Sequence, residues 1–154
     1  MMLEMHQVTI GQQIVKLSMV VNDGKIACIT GAHGAGKTTL LRAVLGFIPV
    51  DSGFISIDGE LLTPQSAPYF RKQTAYVPQH LTLPEGYTGV PTDYVQLLRK
   101  AVDSGKPLLI VDEPPQPVGT DVEEEIDRLL QAAAQRGTTV LAVNQRIQPN
   151  PIRL

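Results

Sequence analysis

The order of apolar and polar positions divides the 154 residues into short segments that switch between two periods. Leu3 to Val21 reads as two extended segments separated by Gly11, and between Ile14 and Val21 the apolar residues partly alternate, as on a half-buried strand. Asn22-Asp23-Gly24 is a turn signal. Lys25 to Thr30 is short and nearly all apolar, the pattern of a strand buried on both faces. Past the glycine-rich stretch Gly31 to Gly36 the period becomes helical: Leu40, Leu41, Val44 and Leu45 form one stripe over Lys37 to Leu45, and Gly46 stands near its end. Phe54 to Ile57 reads as a strand entering a tight turn at Asp58-Gly59. Leu62 to Tyr69 reads as irregular, Ala75 to Val77 as a short strand ended by Pro78, and His80 to Pro91 as a loop.

A second helix is expected from Thr92, as its cap, to about Ser104, with Tyr94, Leu98, Ala101 and Val102 on one face. Leu108 to Val111 is the clearest buried strand. Thr120-Asp121-Val122-Glu123 fits a capping box, and behind it Val122, Ile126, Leu129, Leu130 and Ala133 recur at spacings of three and four. Thr138 to Val143 is another strand, and the tail from Gln145 to Leu154, with two prolines, predicts no regular element. Strands alternating with helices predict an α/β fold, a mostly parallel sheet flanked by helices, preceded by an antiparallel β element at the N-terminus.

The length fits one domain, residues 1–154, at roughly 150 residues per domain. Hydrophobic residues make up 43% and charged residues 18%, a mix that supports a sizeable core and argues against intrinsic disorder. The formal net charge of −2 advertises no nucleic-acid partner. Cys28 is the only cysteine, which excludes an internal disulfide and a multi-cysteine metal site; in its apolar run it reads as a small buried hydrophobe. No stretch approaches the roughly 20 apolar residues of a membrane helix. The amino terminus also lacks the layout of a signal peptide, so the cytoplasm is the expected compartment. A membrane connection, at the inner face, would run through a partner.

Two segments carry chemistry. Gly31-Ala32-His33-Gly34-Ala35-Gly36-Lys37-Thr38 matches GxxxxGK[ST] at every specified position, between an apolar strand and a helix. Glycines let the backbone wrap around phosphates so that several N–H groups point inward beside a helix start. Lys37 reaches β- and γ-phosphates in such a loop, and the Thr38 hydroxyl binds Mg²⁺. His33 and Ala35 fill unspecified positions of the same loop, where a lone histidine is more often incidental than catalytic. The other segment is Leu108-Leu109-Ile110-Val111-Asp112-Glu113. An acidic residue at the carboxyl end of a buried parallel strand sits where open α/β sheets bind ligands. Asp112 there is a candidate Mg²⁺ holder and Glu113 a candidate general base for an attacking water.

The loop Gly31–Thr39, then Tyr76-Val77-Pro78-Gln79, then Ile110-Val111-Asp112-Glu113-Pro114 follow the order found in ATP-binding cassette (ABC) ATPases. From Leu3 to about Val143 the chain resembles the nucleotide-binding domain of that P-loop NTPase family. The resemblance implies ATP and Mg²⁺ as bound groups. It implies that Thr39 is a second loop hydroxyl near the α-phosphate, and that Gln79 reaches Mg²⁺ and the attacking water. It further implies an ATP-dependent homodimer or heterodimer and a membrane permease subunit as partners.

The chain also departs from the family. Between Gln79 and Asp112 there is room for one loop and one helix, where family members carry a helical subdomain that opens into the signature Leu-Ser-Gly-Gly-Gln. The nearest remnant is Tyr87-Thr88-Gly89-Val90-Pro91, in which proline lacks the backbone donor. The switch histidine falls on Gln145, which can donate a hydrogen bond but carries no charge. The aromatic that stacks on adenine falls near Ile10, and Asp121 stands near the dimer-contact loop. Three readings follow. The chain is an ATP-hydrolysing module, the energising subunit of a transporter; or an ATP-binding regulatory or scaffold subunit; or, less well supported, a small P-loop phosphotransferase.

Overall fold

The computed structural model describes residues 1–32, 34–79, 94–114, 119–143 and 152–154. The alternating N-terminal segments fold as β1 (Leu3–Ile10) and β2 (Ile14–Val21), an antiparallel pair in register from Leu3↔Val21 to Ile10↔Ile14. Met5 and Val8, three apart, both face inward because the register shifts between them, where Gln7 takes φ 51°. One unpaired residue there restores the apolar side to the core, as a β-bulge does. After β3 (Ile26–Thr30) and α1 (Lys37–Val44) come β4 (Ser52–Ile57) and β5 (Glu60–Leu61). They form a hairpin whose two loop residues, Asp58 and Gly59, both have positive φ (51° and 78°). That backbone twist matches the strands it joins.

The chain continues through α2 (Ala67–Lys72), β6 (Thr74–Val77), α3 (Tyr94–Asp103), β7 (Leu108–Val111), α4 (Thr120–Gln135), β8 (Thr139–Val143) and β9 (Ile152–Arg153). Two sheets result: an antiparallel one ordered β2-β1-β4-β5 and a parallel one ordered β6-β7-β8-β3-β9. The expected α/β architecture with its antiparallel element is what the chain forms.

Strand periodicity sorts the core. Leu108 and Ile110 of β7 and Leu141 and Val143 of β8 join α1 (Leu40, Leu41, Val44) and the antiparallel sheet in one cluster. Leu109, Val111, Val140 and Ala142 turn to the other face, against Leu98 and Val102 of α3 and Ile126, Leu130 and Ala133 of α4. The central strands are therefore buried on both sides, as parallel strands between helix layers require. In β3 only Ile29 is fully buried and the other four positions are half-buried; β9 pairs with its outer edge at Ile29 and Thr30.

Three local expectations need correction. The stretch taken as irregular through Tyr69 already contains the start of α2, which carries proline in its first turn. Arg71 of α2 donates to the Leu45 carbonyl at 3.0 Å and stacks 4.8 Å over the Phe47 ring. The tail contains β9, which extends the parallel sheet beside β3. Thr120 is the first residue inside α4 rather than its cap; the extended Gly119, which has no side chain to offer, holds the cap position. Within α4, Glu125 accepts hydrogen bonds from Arg99 (2.8 Å) and Arg128 (2.5 Å), which hold its carboxyl below the usual glutamate range.

Candidate phosphate and metal site

A parallel sheet delivers its chemistry at the carboxyl ends of its strands. β3 ends at Thr30 and runs directly into the glycine-rich loop, while β7 ends at Val111 immediately before Asp112 and Glu113, with β8 between them. β6 pairs with β7 through Val77↔Val111, so Gln79, half-buried and two residues past Val77, lies at the same sheet edge as Asp112.

The loop turns tightly into α1. Gly36 has φ 96°, and a Cβ there would lie 3.0 Å from the Gln13 Cβ, so a side chain would meet both strain and crowding. Gln13 supports the loop from outside, donating from Nε2 to the Gly34 carbonyl at 2.9 Å. The first bond of the α1 ladder runs from the Leu40 amide to the Gly36 carbonyl at 2.9 Å, and no side chain caps the helix. The amides of Lys37, Thr38 and Thr39 therefore precede the ladder at the positive end of the helix dipole.

Four side chains from the two motifs converge. Lys37 is only 6% exposed; its Nζ donates to the Gly31 carbonyl at 2.7 Å and stands 3.7 Å from Glu113 Oε1. The Thr38 hydroxyl donates to Asp112 Oδ2 at 3.2 Å. Asp112 Oδ1 accepts the Glu113 amide at 2.8 Å, and the Asp112 amide donates to the Val77 carbonyl at 2.8 Å. Glu113 is 7% exposed, and its Oε2 is the one buried side-chain polar atom among the described residues without a hydrogen-bond partner. A buried oxygen left unsatisfied is costly and marks a place where a ligand or water belongs.

This donor set suits a polyanion with a hard cation. An ammonium and helix-start amides offer positive partners to phosphate, while a hydroxyl and a carboxylate offer oxygens to Mg²⁺. Among the described residues no group of three or more His, Cys, Asp or Glu side chains could hold a metal alone. A cation at Thr38 and Asp112 would take its remaining ligands from phosphate and water, the usual habit of Mg²⁺.

Not every residue singled out from the sequence joins this cluster. Gly31, Gly34, Ala35, Gly36, Lys37, Thr38 and Thr39 form the loop and helix start, and Asp112 and Glu113 face them. Ile10 instead belongs to the core: it pairs with Ile14 at the end of the β1–β2 hairpin and is 8% exposed, with its side chain in the hydrophobic cluster. His33, Gln145 and the signature remnant 87–91 lie outside the described residues. Tyr94, read from its spacing as a core residue, contributes more: its hydroxyl donates to the Asp112 backbone carbonyl. Burial, then the charges of Asp112 and Glu113, push that phenol well above the ordinary tyrosine range, so it remains a protonated donor. A second concavity of about 490 Å³, walled by Phe47, Ile48, Pro49, Phe54 and Leu62, has no charged side chain in its lining and lacks phosphate chemistry.

Comparison with known proteins agrees with this geometry. The family model described as ABC transporter matches residues 14–146. A manganese transport system ATP-binding protein from Listeria innocua is 40% identical over 63 residues, 41% of this chain and 24% of that protein. A thiamine import ATP-binding protein from Vibrio parahaemolyticus is 28% identical over 185 residues, covering 92% of this chain and 78% of the relative. That alignment is longer than the 154-residue chain, so the relative holds residues with no counterpart here. This chain spans about a quarter of the length of the two Listeria relatives it matches, 24% and 25%. Among solved structures, the ATP-binding cassette MJ0796 in a dimeric post-hydrolysis state with ADP and phosphate superposes with a TM-score of 0.74. It is 17% identical, and the superposition covers 94% of this chain and 88% of that one. That likeness establishes the shared fold. Phosphate loop, acidic strand end and a match running across both lead to one conclusion: this chain belongs to the ABC transporter family, as a reduced form of its nucleotide-binding domain.

Proposed function

We propose that this chain binds ATP with Mg²⁺ on the loop Gly31–Thr39 and hydrolyses it to ADP and phosphate, with Glu113 as general base. One observation carries the reading: buried Lys37, Asp112 and Glu113 and half-buried Thr38, from two strand ends separated by β8, meet in a single cluster. Lys37 and the amides of Lys37, Thr38 and Thr39 hold the phosphate tail, each charge-assisted bond contributing about 1.5–3 kcal/mol. Thr38 and Asp112 hold the cation, with Gln79 as the third polar group at the same edge. Magnesium ATP supplies the phosphoryl group and the charge neutralisation that lets water attack it. Glu113 takes the water proton on its carboxylate; a base so placed accelerates such a step about 10²–10⁴-fold.

In this reading two copies, or this chain and a related one, close over the nucleotide, and a membrane permease subunit couples turnover to transport at the inner face of the membrane. The two import and transport relatives, and the dimeric state of MJ0796, support that extension. No helix among the described residues is long and apolar enough to cross a membrane.

Thermal denaturation with and without Mg²⁺-ATP, paired with phosphate release, tests the proposal. Saturating nucleotide at about 100 Kd should raise Tm by roughly 5–10 °C. Lys37→Ala should lose that shift, and an unchanged shift would overturn the phosphate role. Glu113→Gln should keep the shift while phosphate release stops; undiminished release would place the base elsewhere. Binding without any release from the unaltered chain would leave the regulatory-subunit reading.

A further inference from the structure

The peptide bond joining Asp112 to Glu113 lies between the carboxylate assigned to the metal and the carboxylate assigned to the water. Its two polar groups are both held. The N–H, on Glu113, donates to Asp112 Oδ1 at 2.8 Å. The C=O, on Asp112, accepts the Tyr94 hydroxyl. The preceding peptide is fixed as well, since the Asp112 amide donates to the Val77 carbonyl at 2.8 Å. A planar amide held at both ends has little freedom to rotate about its flanking φ and ψ bonds, and those bonds aim the Glu113 side chain.

The three ties differ in origin. Two are local to the sheet edge: the Val77 bond continues the β6–β7 ladder, and the Asp112 carboxylate folds onto its own neighbour. The third comes from α3, a different element, through a phenol at that helix's first residue. The ring of Tyr94 packs against the cluster formed by α3, α4 and the parallel sheet, so the hydroxyl is delivered from a fixed base. Glu113 itself has only weak restraint at its tip: Oε1 is 3.7 Å from Lys37, and Oε2 has no hydrogen-bond partner among the described residues. Its aim therefore depends on the backbone beneath it.

We infer that Tyr94 is a positioning residue for hydrolysis: its hydroxyl locks the Asp112–Glu113 peptide and so keeps the Glu113 carboxylate aimed at the attacking water. The inference rests on the hydrolytic reading above, but it makes a claim about the backbone that stands apart from turnover. Displacing a reacting group by a fraction of an ångström costs catalysis more than binding, because the phosphate contacts at Lys37 and Thr38 are unaffected.

Tyr94→Phe keeps the ring and removes the hydroxyl, and Tyr69→Phe, at an exposed tyrosine of α2, is the control. Tyr94→Phe should lower kcat about tenfold with KM for ATP and the nucleotide-induced Tm shift unchanged, the signature of misplacement rather than lost binding. In nucleotide-free protein, hydrogen exchange at the Glu113 amide should be protected in the unaltered chain and faster in Tyr94→Phe, and Tyr69→Phe should change neither measurement. A Tyr94→Phe protein with kcat within twofold of the unaltered chain, or with altered KM alone, overturns the inference. So does a Glu113 amide that exchanges at the same rate with and without the hydroxyl, or one that is unprotected in the unaltered chain, a measurement independent of how well the variant folds. Failure of the hydrolytic reading looks different: the unaltered chain then shows no turnover sensitive to Glu113→Gln, and the exchange measurement alone decides whether Tyr94 holds the peptide.

Discussion

At the scale of single residues, the cluster joins two kinds of polar burial. Asp112 is 2% exposed but has both carboxylate oxygens bonded, to Thr38 and to the Glu113 amide. Glu113 is almost as buried with one oxygen unpartnered among the described residues, an oxygen that the proposed reaction gives to the attacking water. Thr38 is thus tied to Asp112 and assigned to the cation. Thr38→Val keeps the shape and removes the hydroxyl. Melting in ATP with Mg²⁺ should then shift little more than in ATP with EDTA, and the nucleotide-free protein should lose about 1–3 kcal/mol because Asp112 Oδ2 is left without its donor. A preserved Mg²⁺ dependence would move the metal to other oxygens. The residues of this cluster were legible in the sequence because the phosphate loop is a local backbone device: its glycines, lysine and hydroxyl must occur at fixed spacing. Tyr94 and Ile10 were not. Helical spacing tells which face a tyrosine occupies, not what its polar tip meets. Ile10 could be aligned with a base-stacking position, yet its burial follows from the hairpin register with Ile14, which is a long-range outcome of pairing.

At the scale of elements, the site depends on how firmly α3 and the strand ends are held. Leu98 is fully buried, at 0% exposure, between α3 and the sheet face carrying Val77, Leu109 and Val111. Leu98→Ala should cost about 2–5 kcal/mol, the range for a buried leucine whose site cannot collapse. Urea unfolding would read it as a lower midpoint with an unchanged slope, and a loss under 1 kcal/mol would mean that α3 is loosely seated. The strongly periodic elements were readable beforehand for a simple reason: α1, α3, α4 and the central strands bury enough apolar side chains to leave a pattern. The short ones were not. α2 has six residues and buries only Ala67 and Phe70, too few for a helical stripe to emerge. β9 has two residues, and its place beside β3 is set by backbone pairing at Ile29 and Thr30 rather than by composition. The capping box at Thr120 was a fair local signal, but the extended Gly119 takes the preceding position and puts Thr120 one step inside the helix.

At the scale of the whole molecule, the phosphate-binding half of the fold is complete while the interval from Gln79 to Asp112 is short, and that contrast makes association the informative property. A cluster of loop amides, Lys37, Thr38 and Asp112 can hold a triphosphate from one side, and the hydrolytic proposal has a second copy or a related chain close the other. Among neighbours of the same fold, MJ0796 was captured as a dimer with ADP and phosphate. The peptide nearest to a signature keeps only a hydroxyl and a glycine, at Thr88 and Gly89, followed by Val90 and Pro91 in place of further glycine and glutamine. Proline removes one backbone donor from that peptide, so the contact should be weaker than one made by a full signature and should depend on nucleotide staying bound. Blocking hydrolysis isolates that state. Glu113→Gln at tens of micromolar should therefore elute with Mg²⁺-ATP at twice the mass it shows without nucleotide, by light scattering on a sizing column. Lys37→Ala combined with Glu113→Gln should stay at the single-chain mass under both conditions, since it lacks the phosphate contact that holds the nucleotide between the copies. If Glu113→Gln binds ATP by its thermal shift yet keeps the single-chain mass across that concentration range, self-association is not part of the mechanism. The phosphate site would then act either closed against a related chain or as the ATP-binding site of a regulatory subunit, and phosphate release from the unaltered chain separates the two.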